Sequence, residues 1–399
     1  MMMQIRDIVS RLRWSQWAAV AIGVIMLILC AIGALFDPVQ FFQSYLFAYL
    51  SWVGVGLGCL AILMIQFAVK GTWGLVVRRM VEAGALTLPL MAVLFIPLIP
   101  GLSSLYQWAQ PQLVAKDALL QGKAAYLNVP FFLLRTAIYF VIWGGLAFVL
   151  NRWSAQEDRA DDPGIVQRLQ NLSIVGLVLF GITVTFAMID WVMSLEPHWY
   201  STIYSAMAVM GGLLAALALA VVGVALLRLT AEDKDPLEQL ISPQVLNDLG
   251  NLLMAGLLMW AYLDFSQYLV IWSGNLNDEI PWYLRRIQNG WEWVALLLIV
   301  FHFLLPFAVL LARHLKRDAR SLGLIALLLF VMHVVDSFWL VAPAFHPDNF
   351  SLSWLDFTAI LGIGGLWFAV FFWQLQQKPL LALHSTVDVS YTQEAAAND

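Results

Sequence analysis

Residues 190–204 read DWVMSLEPHWYSTIY, and they hold two acids, a histidine and four aromatic side chains between long apolar runs at 172–193 and 203–227. Each flanking run is long enough to cross about 30 Å of hydrocarbon as a helix. The polar stretch is therefore a turn at a membrane edge. Working outward in both directions, further runs of this length follow, giving ten in all: 17–36, 45–69, 82–102, 129–150, 172–193, 203–227, 249–272, 291–313, 322–342 and 355–375. The chain is 61% hydrophobic and 12% charged, where a soluble domain carries about 25% charged residues. The expected fold is all-α, a polytopic membrane protein with ten transmembrane helices in one integral domain, 1–380, followed by a cytoplasmic C-terminal tail, 381–399.

Charge sets the orientation. Of the 21 lysines and arginines, only Lys116, Lys123, Arg285 and Arg286 fall in odd-numbered loops, and Arg135 falls in the fourth span. The other 16 lie in the termini and even-numbered loops, which places both termini in the cytoplasm. The first run, preceded by Arg6, Arg11 and Arg13, has span length and not the shorter core of a signal peptide, so it reads as an uncleaved helix. A net charge of −5 gives no reason to expect nucleic acid as a partner. Cys30 and Cys59 sit inside apolar runs and outside any CxxC or CxxCH pattern, so they read as packing residues.

Helix starts are marked by Ser242 before Pro243, by Asn289 with Glu292, and by Ser353 with Asp356. Prolines 89 and 97 in the third run and Pro306 in the eighth predict kinks or central packing. Tryptophans cluster at span ends, as interfacial belts require. The external loops 103–128 and 273–290, aromatic and proline-rich, are the expected docking surface for outer partners.

Ionisable residues within a bilayer are costly and mark sites or pathways. At about 1.5 Å per residue, His302 and His333 fall near the midplane, with Asp336 one turn outward from His333. Asp264 lies in the outer half of the seventh span, Asp190 ends the fifth, and Arg135 begins the fourth. With Glu196 and His198 at the mouth, these residues form a candidate proton ladder. Glu292 is a further candidate, and all of these but Asp264 and Asp336 have a plainer reading: Glu292 as a cap, Glu196 and His198 as solvated turn residues, Arg135 as the partner of Asp190, and the two histidines as hydrogen-bonded core residues. The histidines fall short of the four ligands that a dihaem cytochrome needs. On the inner side Glu82 is the main candidate, with Gln66, Thr87 and Asn251 nearby.

Four stretches resemble a known family: FAMIDWVMSLEPHWYSTIY (186–204), FSQYLVIWSGNLNDEIPWYLRR (265–286), KAAYLNVPFFLLRTAIYFVIW (123–143) and FFQSYLFAYLSWVGVGLGCLAILMI (41–65). The chain resembles the NrfD-like (polysulfide reductase-type) membrane subunits of bacterial alternative complex III, and the ActF type more than the ActC type. The resemblance implies two four-helix bundles, spans 2–5 and 6–9, with two peripheral helices, in the bacterial inner membrane. It also implies a subunit without a cofactor of its own in a quinol:electron-acceptor oxidoreductase. Its partners would be an ActC-like quinol-binding subunit, iron–sulfur and multihaem c subunits, membrane lipids, and a soluble cytochrome c or copper protein as acceptor. The subunit's own task would be proton translocation, with Asp190, Glu196, His198 and Asp264 on the matching positions. Two alternatives stand beside this: a quinol-oxidising site within this chain, and a stand-alone proton-coupled transporter.

Overall fold

The computed structural model describes residues 2–69, 71, 73–159, 162–230 and 240–379. The predicted tail at 381–399 lies outside the described residues. All regular structure among them is helical. Among the described residues nine helices are long and apolar enough to cross a membrane, or ten if one bent pair, Trp73–Leu94 with Ile96–Leu105, counts as a single span. In chain order the helices are α1 (Met2–Phe36), α2 (Pro38–Val69), α3 (Trp73–Ala85) and α4 (Leu88–Leu94), which together make the first limb of the bent pair, α5 (Val129–Glu157), α6 (Pro163–Trp191), α7 (Tyr204–Thr230), α8 (Pro243–Gly274), α9 (Trp291–Leu311), α10 (Ala319–Val341) and α11 (Trp354–Leu375).

The third predicted span, 82–102, is the one that differs. The helix starts earlier, at Trp73, turns at residues 86–87, resumes at Leu88, and passes into a 3₁₀ segment, Ile96–Gly101, with a bend of 44°. Proline explains the breaks: Pro89 and Pro97 each open a new helical segment, where their missing N–H costs nothing. In α9 the disturbance takes another form, a π-helical segment at Leu298–Leu304 just before Pro306.

Capping agrees with the sequence at two of three starts. Ser242 accepts from Val245 N, and Ser353 with Asp356 forms a full capping box. At the third start the cap position is Gly290, in the left-handed region at φ +96°, and Glu292 accepts from its N–H. Asn289, read as that cap, instead donates to the Pro347 carbonyl.

The core is organised on α2, which is buried along almost its whole length from Ser44 to Phe67. It packs against α3, α6, α7 and α11. In lipid, water gives helices little hydrophobic reason to associate, so close backbone approach carries the contact. The α2–α7 crossing shows this: a Cβ on Gly58 would stand 2.3 Å from the Gly212 carbonyl oxygen, and one on Gly212 would stand 2.6 Å from that of Gly54. The helices α1 and α11 pair closely as well. By contrast, α8 and α9 keep broad apolar faces exposed, including Tyr262, Phe265, Trp272, Trp293 and Phe301.

Candidate functional site

Most buried charges of this chain are answered. The helix α3 carries Arg78, Arg79 and Glu82 within about one turn, all buried. Glu82 receives Arg79 at 2.8 Å, Arg78 at 3.2 Å and Lys378 at 2.9 Å, and also the Ser154 hydroxyl. The two arginines reach on to Glu157 and Asp158. This network ties α3 to the end of α5 and to the segment after α11. It is closed, since each member has an opposite charge.

A second closed pair sits where α6 ends. The Arg135 guanidinium meets Asp190 through two bonds, Nε to Oδ2 and Nη2 to Oδ1, both 2.8 Å. Tyr139 donates to the same carboxylate at 2.8 Å, and Arg135 also donates to the Tyr126 carbonyl. Tyr126 and Phe131 cover the guanidinium, with their ring centres 3.9 and 4.3 Å away. Such a bidentate pair fixes geometry. It joins α5 to α6 and leaves Asp190 fully buried with both oxygens engaged.

Glu196, next along the turn, pairs with Arg285 at 2.6 Å and Arg286 at 2.8 Å. The two stretches 186–204 and 265–286 are thereby joined side chain to side chain. Stacking of Trp199 on Trp282, centroids 4.8 Å apart, reinforces the joint. Above it opens a cavity of about 250 Å³ lined by Glu196, His198, Trp199, Asp278, Trp282 and Arg285. His198 is exposed and meets Asp117 at 2.7 Å. Glu292 is exposed and serves its helix start.

The remaining four predicted residues are brought together by α8, α9 and α10, and their setting is of another kind. Asp336 is 3% exposed, His333 4% and His302 0%. Asp264 and Asp336 lie within electrostatic reach of each other, as do His302 and His333. The Trp260 indole joins them: it stacks on His302 with centroids 4.2 Å apart and is in hydrogen-bonding reach of Asp336. His333 Nε2 lies 3.1 Å from the Ser51 carbonyl, so that nitrogen carries the proton, and Nδ1 is left without a partner. Both nitrogens of His302 and Oδ2 of Asp264 also lack a partner. None of the four forms an ion pair within 4 Å among the described residues.

No protein-family model and no curated protein matches this chain. The site is therefore read from its own chemistry. Among the described residues, twelve buried side-chain polar atoms have no partner within the chain. Six of them belong to Asp264, Tyr283, Arg286, His302 and His333. Buried polar groups are as a rule satisfied, so this concentration marks one region as set apart from the packed core.

Several residues of the region escaped the sequence reading. Arg286 reads as a flanking loop charge, yet it is 1% exposed, sits 3.7 Å from the centre of the Trp282 ring, and donates to the carbonyls of Trp282 and Leu340. Tyr204 and Tyr283 are uncharged and gave no depth signal. Trp260 could have been found: it lies one turn before Asp264 on the same face of α8. Gly211 of α7 faces the cluster as well, since a Cβ there would lie 2.9 Å from Asp336 Oδ2 and 3.6 Å from His333 Nδ1.

Proposed function

We propose that this chain is a proton-handling membrane subunit of a bacterial quinol:electron-acceptor oxidoreductase, with its proton site at Asp264, Asp336, His333 and His302. The observation that carries the reading is the contrast just described. Glu82, Asp190 and Glu196 are each held by arginine, whereas the acids and imidazoles of the α8–α10 cluster have no counter-ion. A charge that only braces the fold is expected to be paired; an unpaired ionisable group inside the membrane is by default a functional one. In this reading Asp190 and Glu196 brace the outer turn, and the proton-carrying acids are Asp264 and Asp336.

The wider assignment rests on the resemblance of the four stretches quoted above to the NrfD-like subunits of alternative complex III. The contacts of α2 with α3 and α6, and of α7 with α8 and α10, favour two four-helix bundles meeting at the α2–α7 crossing, with α1 and α11 outside them. Both termini face the cytoplasm in this arrangement. The haem c and iron–sulfur groups belong to partner subunits on the outer side, and the electrons pass from quinol through them to a soluble acceptor. The test is purification of the tagged chain in mild detergent. Co-purification with haem-c and iron–sulfur polypeptides is expected; a lone chain active in transport sinks the assignment.

A second reading has one observation in its favour. A cavity of about 40 Å³ lies between α2, α6, α7 and α10, with an apolar lining that includes Leu50, Met188 and Val209, and His333 and Ser337 at its wall. An apolar recess ending on an imidazole has the chemistry of a quinol site, although at this volume it admits little more than one water molecule. If His333→Gln abolishes quinol oxidation in the purified complex while leaving its assembly intact, this reading replaces the first.

A further inference from the structure

We propose that the Tyr283 hydroxyl is the positioning group through which protons pass between Asp264 and the outer cavity; the inference rests on the proton-handling reading above. Tyr283 lies on the short helix Ile280–Leu284 of the outer loop, beside Trp282, the ring that stacks on Trp199 at the Glu196 joint. It is buried, held edge-on by Tyr268 and Trp282 with centroids 5.3 and 4.8 Å away, and its hydroxyl has no partner. A buried phenol is placed for its ring by packing and for its hydroxyl by a hydrogen bond; here only the packing is met within the chain.

Two other unpartnered atoms bracket it. On one side is Asp264 Oδ2, one turn along α8 from Tyr268, the ring against which Tyr283 packs. On the other is Arg286, which lies over the Trp282 ring that meets Tyr283 edge-on, with its Nε unpartnered and its Nη2 on Glu196. Glu196 lines the outer cavity. The series Asp264, Tyr283, Arg286, Glu196 therefore runs from the buried Oδ2 of a half-buried acid on α8 to the outer cavity. Sites with several unsatisfied polar atoms in one place are where internal water binds, and a hydroxyl both donates and accepts. As the Tyr283 oxygen takes a proton from the Asp264 side, its own proton leaves toward the cavity, so the tyrosine ends each transfer unchanged.

The experiment is hydrogen–deuterium exchange of the Asp264 carboxylic acid in the purified full-length protein, followed through the infrared C=O band that Asp264→Asn removes. Tyr283→Phe keeps the ring and its contacts, and is expected to slow the exchange at least tenfold. Tyr268→Phe removes the neighbouring hydroxyl outside the series and is expected to leave the rate unchanged. Exchange at the parent rate in Tyr283→Phe, or equal slowing in Tyr268→Phe, overturns the proposal while leaving the acid site intact. Absence of any band removed by Asp264→Asn in the parent overturns the acid site itself, and this proposal with it.

Discussion

Replacing Asp190 with alanine is expected to lower the stability of the protein by about 3–5 kcal/mol, because it leaves the Arg135 guanidinium buried without its counter-ion. Glu82→Ala is expected to fall near the lower end of that range. It strips one carboxylate from three cations, but Glu157 and Asp158 still answer Arg78 and Arg79. Asp264→Asn and Asp336→Asn should behave otherwise. No ion pair is broken and the volume is unchanged, so the shift is expected to stay within about 1 kcal/mol of the parent. Thermal unfolding in detergent, read by helical circular dichroism and by monodispersity, ranks the four variants. If Asp264→Asn destabilises as much as Asp190→Ala, the division into bracing and proton-carrying acids is mistaken.

The second large effect is expected at the crossing of α2 and α7. Gly58→Val places a branched side chain where even one Cβ would meet the Gly212 carbonyl oxygen at 2.3 Å, and the obstacle is backbone, which cannot rotate away. Overpacking a well-filled interior costs about 1–3 kcal/mol, and here the helices must separate along their length, so loss of the folded protein is the expected outcome. Gly122→Val, where nothing lies within 4 Å, is the control and is expected to express at the parent level. Recovery of monodisperse, fully helical Gly58→Val would show that the crossing is not the spine of the fold.

The helices were legible because hydropathy and length alone bound them. Nine of the ten expected runs coincide with single helices, and the exception, 82–102, is the run whose two prolines signalled a break without giving its form. The start at Trp73 was hidden because Arg78, Arg79 and Glu82 interrupt the apolar pattern of α3, and the two arginines read as loop charges. In the candidate site, the depth argument placed Asp264, His302, His333 and Asp336 correctly enough for α8–α10 to bring them together. It could not say which acids are free. Asp190 and Asp336 look alike in sequence, each near the outer end of an apolar helix. What separates them is a counter-ion from another helix, Arg135 in one case and, among the described residues, none in the other, and such pairing across the chain leaves no local trace. The same limit applies to Tyr283, whose neutral hydroxyl carries no sign of burial until the outer loop is folded back against α8.

The central claim is that the unpaired acids of α8 and α10 carry protons during turnover. Proton release per electron, measured in the purified complex reconstituted in vesicles with a quinol donor, tests it through Asp264→Asn and Asp336→Asn. The account predicts that proton release per electron falls in both variants while electron transfer from quinol continues. Unchanged proton release in both variants, at parent rates of electron transfer, would contradict it.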